Sequence, residues 1–271
     1  MTTSMITTIA AHIQPAGAAA LDAMLEAPFA LAAAHDAHLT ILLFQGDPLA
    51  AGDAGAAGDE REEQVAAGHV RAAAARRGIR CEVRSRSSFA YGVGEVMADH
   101  LRVSDIGLLS LAGSTGPGRR MLIDAAVFEG GRPVLLVPAQ ARLAVPPARV
   151  VVGWDAAPAA VRAVQGAMPF IRAAAETIVV TVSDDKALRP GQSGTELCHL
   201  LARHGARASV ANVPMADRGV LHALAAKAAE VEGALLVMGA VRHAPIRTIL
   251  FGSATSELLD SGPRVPVLIS A

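Results

Sequence analysis

The sequence predicts an α/β chain built as two tandem doubly wound parallel sheets, five strands in each. Three observations carry this. Short, continuously apolar runs alternate with Ala-rich helical stretches. The whole order of these elements occurs twice. Each half closes on a Pro-Val-Leu strand, Pro133 to Pro138 and Val265 to Ser270. Strands apolar along their whole length belong to sheets covered on both faces, and alternation with helices makes those sheets parallel.

The elements follow in order. In the second half, Val150 to Asp155 reads as a short buried strand ending in a carboxylate, followed by a helix from Ala159 to Ala175 and a strand from Thr177 to Val182. In the first half, Ile6 to Ala11 is the strand, Ala16 to Ala34 the helix and Leu39 to Phe44 the next strand. The two helices share a phrase, Ala27-Pro-Phe-Ala30 against Met168-Pro-Phe-Ile171. A polar loop follows in each half, then a helix stopped by Arg77-Gly78 or His204-Gly205. Glycine just past the last turn is the usual helix stop. Third strands run from Ile79 to Val83 and Ala206 to Val213. Helices then run from Gly92 to Leu101 and Gly219 to Glu230. Fourth strands run from Ile106 to Leu111 and Ala234 to Met238. The domains are expected at 1–140 and 148–271. Pro146-Pro147 lies between them, where two missing backbone donors favour an extended linker.

Composition narrows the function. The chain is 52% hydrophobic but 3% aromatic, so its cores are Ala, Val and Leu. A net charge of −1 leaves no basic excess to neutralise a phosphate backbone, so no nucleic-acid partner is expected. Met1 to Ala11 has no signal-peptide pattern, and no apolar run approaches the roughly 18–20 residues of a membrane helix. Cys81 and Cys198 lie far apart without a CxxC partner. A reducing cytoplasm is the expected compartment, with no membrane association.

Ligands of open α/β sheets sit beyond the carboxyl ends of the strands, at the switch in strand order. In the second half those positions are Asp155, Ser183 and Gly239. Asp155 suits an adenine amino group or ribose hydroxyls as an acceptor. Gly239 suits a close backbone approach by a phosphate. Gly252-Ser253 is read as opening a helix, whose free N–H groups favour an anion. In the first half, spacing to Pro15 and Pro158 matches His12 to Asp155. Ser110, Gly113, Ile123 and Asp124 match Gly239, Arg242, Gly252 and Ser253. Asp124 is read as a helix N-terminal cap that repels phosphate, and Gly116-Pro117-Gly118 as a flexible turn.

These residues resemble the universal stress protein family, over almost the whole chain and twice. The resemblance rests on the Val-rich strand ending in Asp155, on Ala234-Leu-Leu-Val-Met-Gly239 and on the closing Pro-Val-Leu strand. Nucleotide-binding members carry Gly, two residues, Gly, nine residues, Gly, then Ser or Thr. Gly239 and Gly252-Ser253 keep that spacing. Arg242 stands at the second glycine, and Ala157 where the family usually has Ser. Arg242 has three readings: an obstacle to the phosphates, a guanidinium that binds them, or a solvated loop residue. The resemblance implies a binding set of Asp155, Val182, Gly239, Arg242, Gly252 and Ser253. It implies ATP or another adenine nucleotide as ligand, with Mg²⁺ arriving on the phosphates.

The function so implied is a non-catalytic stress-response module acting through a protein partner. The alternative is a slow ATP-hydrolysing enzyme of the same architecture. Against it, the relevant loops hold no general base, metal cluster or Walker lysine. The last strands, Val134–Val137 and Val265–Ile269, are expected to pair as a pseudo-dimer within the chain or across a homodimer. His35 and His38 lack a third metal ligand. Gly191-Gln-Ser-Gly194 lacks the spacing of a nucleophile elbow.

Overall fold

The computed structural model describes residues 6–44, 56–85, 92–112, 117–183, 189–215, 219–240 and 265–271. It divides into two units, Met1–Ala139 and Gln140–Ala271.

Unit 1 runs β1 (Thr8–Ile13), α1 (Ala18–His35), β2 (His38–Leu43), α2 (Ala56–Arg76), β3 (Cys81–Ser85), α3 (Val93–Arg102), β4 (Ile106–Ser110), α4 (Pro117–Glu129) and β5 (Val134–Val137). Its strands pair in parallel in the order β3-β2-β1-β4-β5. Unit 2 runs β6 (Arg149–Gly153), α5 (Pro158–Ala173), β7 (Glu176–Ser183), α6 (Gly194–Arg203), β8 (Ala208–Pro214), α7 (Val220–Glu230), β9 (Ala234–Gly239) and β10 (Val267–Ser270). Its parallel order is β8-β7-β6-β9-β10. Both are the doubly wound layout. The strand order reverses between β1 and β4 in one unit and between β6 and β9 in the other.

The central strands are apolar because both faces are covered. β4 and β9 each have four buried residues in a row, and α1 and α5 bury Phe29 and Phe170. Gly78 and Gly205 adopt φ of 66° and 84° just past α2 and α6, the left-handed stop that glycine takes without a Cβ penalty. Among the described residues, no helix is long and apolar enough to cross a membrane.

The strand registers fix which residues of the two units correspond. Gly107 N–H donates to Pro133 O and Leu236 N–H to Pro266 O. Leu39 N–H donates to Arg80 O and Thr177 N–H to Arg207 O. Leu111 N–H donates to Val137 O and Ala240 N–H to Ser270 O. Ile9 pairs Ile106 and Leu39, as Val150 pairs Leu235 and Thr177. Counting along these strands places His12 on Gly153, Gln14 on Asp155, Phe44 on Val182 and Ser110 on Gly239.

This corrects the match of His12 to Asp155. Pro158 is the first residue of α5, whereas Pro15 lies ahead of Gly17, the N-cap of α1. The two prolines are therefore not equivalent. The shared Pro-Phe phrase gives the right answer: His12 precedes Pro28, and Gly153 precedes Pro169, by the same sixteen residues. Two further expectations change. Asp124 lies inside α4 and is buried, so it caps no helix N-terminus. Pro117-Gly118 opens α4 instead of forming a flexible turn, because proline presets the helical φ and its missing N–H is not needed at a first helical position.

Candidate functional site

A cavity of about 360 Å³ lies at the carboxyl ends of β6, β7 and β9, at the switch point of unit 2. That volume falls at the lower end of the range for small-molecule sites. Of the residues singled out from sequence, Asp155, Val182 and Gly239 all line it. Arg242, Gly252, Ser253 and His243 lie outside the described residues.

The floor is shaped by glycine and alanine. Gly153 ends β6, and a Cβ there would come within 2.5 Å of Leu224 in α7. Both residues line the cavity, so a side chain at 153 would drive into its wall. Val180 and Met238 contribute further apolar surface, and Ala157, Ala159 and Ala160 bring in the start of α5.

Asp155 turns the chain from β6 into α5. Its Oδ1 accepts the Ala157 N–H at 2.9 Å, an Asx turn. Between the two, Ala156 has φ 58°, a left-handed conformation rare for a residue with a Cβ. Ala157 is the N-cap, and as alanine it offers the helix no side-chain acceptor. The Asp155 carboxylate sits in the cavity wall, and a carboxylate can accept more than one hydrogen bond.

Gly239 has a reason that sequence alone does not reveal. A Cβ at this position would lie 2.5 Å from Ala160 N and 2.7 Å from Ala159 C. The atoms that approach Gly239 closely are those of the first turn of α5. The glycine lets helix and strand meet, and that contact forms one end of the cavity.

Sequence reasoning missed several lining residues, Gly153, Trp154, Thr181 and Asn212 among them. The Trp154 backbone N–H donates to Val180 O at 2.9 Å, and its indole Nε1–H donates to Gln192 O at 2.8 Å. The indole thereby ties the cavity rim to the 3₁₀ turn Pro190–Gln192 ahead of α6. Ser193 caps α6 by accepting the Glu196 N–H at 3.3 Å, which explains the Gly191 to Gly194 segment as helix-capping chemistry. The Thr181 hydroxyl donates to Asn212 Oδ1 across paired positions of β7 and β8. Gly153 was signalled by a glycine closing the Val150–Val152 run. Asn212 carried no local signal, because β8 comes into register only through the fold.

The described lining contains one ionisable side chain, Asp155, and no basic one. It suits the hydrogen-bonding, apolar part of a ligand better than a polyanionic part. Among the described residues, no three of His, Cys, Asp and Glu are grouped to hold a metal ion.

No protein-family model and no curated protein matches the sequence. Solved structures do match. A universal stress protein from Archaeoglobus fulgidus DSM 4304 is similar over 97% of this chain and 95% of its own, with a TM-score of 0.72 and 16% identity. A functionally unknown protein from Pseudomonas aeruginosa PAO1 is similar over 99% of this chain and 93% of its own, with a TM-score of 0.56 and 14% identity. At such identities the likeness shows the fold. The chain has the α/β fold seen in universal stress proteins, along essentially its full length.

Proposed function

We propose that the chain is a tandem universal stress protein, a non-catalytic module that holds ATP or a related adenine nucleotide in unit 2. The observation that supports this most is the convergence of Asp155, Val182 and Gly239 on one cavity at the switch point. The described walls fit the base and ribose end of the ligand. Gly153, Val182 and Leu224 form an apolar slot, and the Asp155 carboxylate is an acceptor for an amino or hydroxyl group. The phosphate end falls to Arg242, Gly252 and Ser253, with Mg²⁺ carried by the phosphates. Regulation then passes to a protein partner and not to a chemical step. The described lining supplies no histidine, lysine or cysteine for acid–base work.

Equilibrium dialysis with ATP tests the reading. Asp155→Asn keeps an oxygen for the Ala157 N–H but removes the charge. A hydrogen bond to a charged group contributes about 1.5–3 kcal/mol, so retention should weaken roughly tenfold to a hundredfold. Gly252→Glu should abolish it through repulsion of the phosphates. Equal retention by all three proteins would sink the site. Phosphate release above a heat-treated control would replace the non-catalytic reading with that of an ATP-cleaving enzyme.

A further inference from the structure

The two units place different side chains at the same switch point. In unit 2, Gly153 and Val182 line the cavity. Strand register puts His12 and Phe44 at those two positions in unit 1. Both are buried, at 2% and 0% exposure. Their rings lie 4.5 Å apart between centroids, and the His12 Nε2–H donates to the Phe44 carbonyl at 3.1 Å.

The strand ends show the same contrast. Leu42 and Leu43 at the end of β2 and Phe44 just after it are all fully buried. Their counterparts in unit 2 are Val180, Thr181 and Val182. Thr181 and Val182 are half-buried, and the next residue, Ser183, is exposed. What is open in unit 2 is packed in unit 1.

We infer that the switch-point site of unit 1 is closed by its own His12 and Phe44 side chains, leaving one ligand-holding site per chain. The cavity-closing half of this inference stands on packing alone. The count of one nucleotide rests on the function proposed for unit 2.

A neutral imidazole suits a plug. Burial holds the His12 pKa down at about 4, against a smaller upward pull from the Phe44 carbonyl bond. The ring therefore stays uncharged at neutral pH, as a tightly packed apolar position requires. Phe44 supplies the area, and the hydrogen bond fixes the imidazole tautomer and orientation.

NMR on the intact chain tests both halves. The His12 ring nitrogens should report one neutral form protonated at Nε2, with NOEs to Phe44, and no titration above pH 5. Titration near pH 6.5 would show a solvent-open site and overturn the inference. On adding ATP, Trp154 resonances should shift and those of His12 and Phe44 stay put. Comparable shifts at His12 and Phe44 would overturn the inference. If nothing shifts, the nucleotide reading of unit 2 fails, while the His12 titration still decides whether unit 1 is closed. Crystals pressurised with xenon give a second readout. His12→Gly, Phe44→Val should gain a xenon site beside residues 12 and 44 that the parent chain lacks. A xenon atom already there in the parent chain would refute the closure.

Discussion

Gly239 and Ala160 are in contact through bare backbone: a Cβ on Gly239 would reach to within 2.5 Å of the Ala160 nitrogen. The atom in the way belongs to a helix's first turn and cannot rotate aside. Gly239→Ala should therefore cost about 1–3 kcal/mol through overpacking. Gly68 is the control, an exposed helical glycine with nothing within 4 Å of its would-be Cβ. Gly68→Ala should stabilise the chain by about 0.5–1 kcal/mol through helix propensity. Urea unfolding of the two variants should move in opposite directions. A neutral Gly239→Ala would mean that α5 and β9 lie further apart than described.

Ala156 holds φ 58° between Asp155 and Ala157. A non-glycine residue held there costs of order 1–3 kcal/mol. Glycine relieves that strain but gives back part of the gain as chain entropy. Ala156→Gly should raise thermal stability by a net of about 0.5–1 kcal/mol without changing ATP retention. Calorimetry and dialysis on the same sample check both statements. A loss of stability would show that the Asx turn needs alanine for contacts beyond its backbone angle.

His12 makes stability depend on mild acid. Its folded pKa, about 4, lies below the ordinary 6.5 because burial opposes protonation. Between those values the unfolded chain binds the proton and the folded chain does not. Stability is thus intact above about pH 6.5 and falls as pH drops towards 4, by about 3 kcal/mol in total. His12→Gln keeps a donor for the Phe44 carbonyl and removes the titration. Between pH 7 and 4.5 the parent protein should lose stability relative to this variant. Parallel curves would rule out a buried neutral His12.

Asp105 should dominate at lower pH. Its Oδ2 accepts the Thr7 and Thr8 backbone N–H groups at 2.7 and 2.9 Å, and both hydroxyls at 2.9 and 3.1 Å. Burial alone would raise its pKa, but these four bonds outweigh it and hold the carboxyl below its usual value. The stability it confers is present above the ordinary carboxylate pKa and is lost as pH falls through the depressed one. Register places Ala234 at this position in unit 2, so only unit 1 carries the clamp. Asp105→Ala should cost about 1–3 kcal/mol at neutral pH, and the cost should shrink as pH falls through the depressed carboxyl pKa. Acid titration of both proteins, followed by hydrogen exchange at β1, would test the assignment. A gap that stays constant all the way to acid unfolding would refute it.

The element order was legible because its signals are local. Buried parallel strands are apolar throughout, and Gly78 and Gly205 stop their helices by a backbone property any sequence displays. Asp155, Val182 and Gly239 were legible as cavity-lining positions for a related reason. The carboxyl ends of strands converge in this fold, so placing the strands places their last residues. Matching one half to the other through loops was less secure. Pro15 and Pro158 look equivalent, yet one precedes its helix and the other begins it. Strand register and the buried Pro-Phe phrase carry the true alignment, because packing constrains them and leaves connections free. Asp124 misled for the same reason: α4 starts at Pro117, well ahead of the position that spacing suggested. Asn212 was invisible, since nothing near it marks β8 as bordering the cavity.

Trp154, hydrogen-bonded to Gln192 at the cavity rim, is the only tryptophan in 271 residues. Its emission is therefore a native optical signal from unit 2 alone. Unit 1 has no tryptophan and is silent at that wavelength, while circular dichroism sees both halves. Melting curves from the two spectroscopies should coincide if the units unfold as one body and separate if they do not. Quenching at the indole can be titrated without any label.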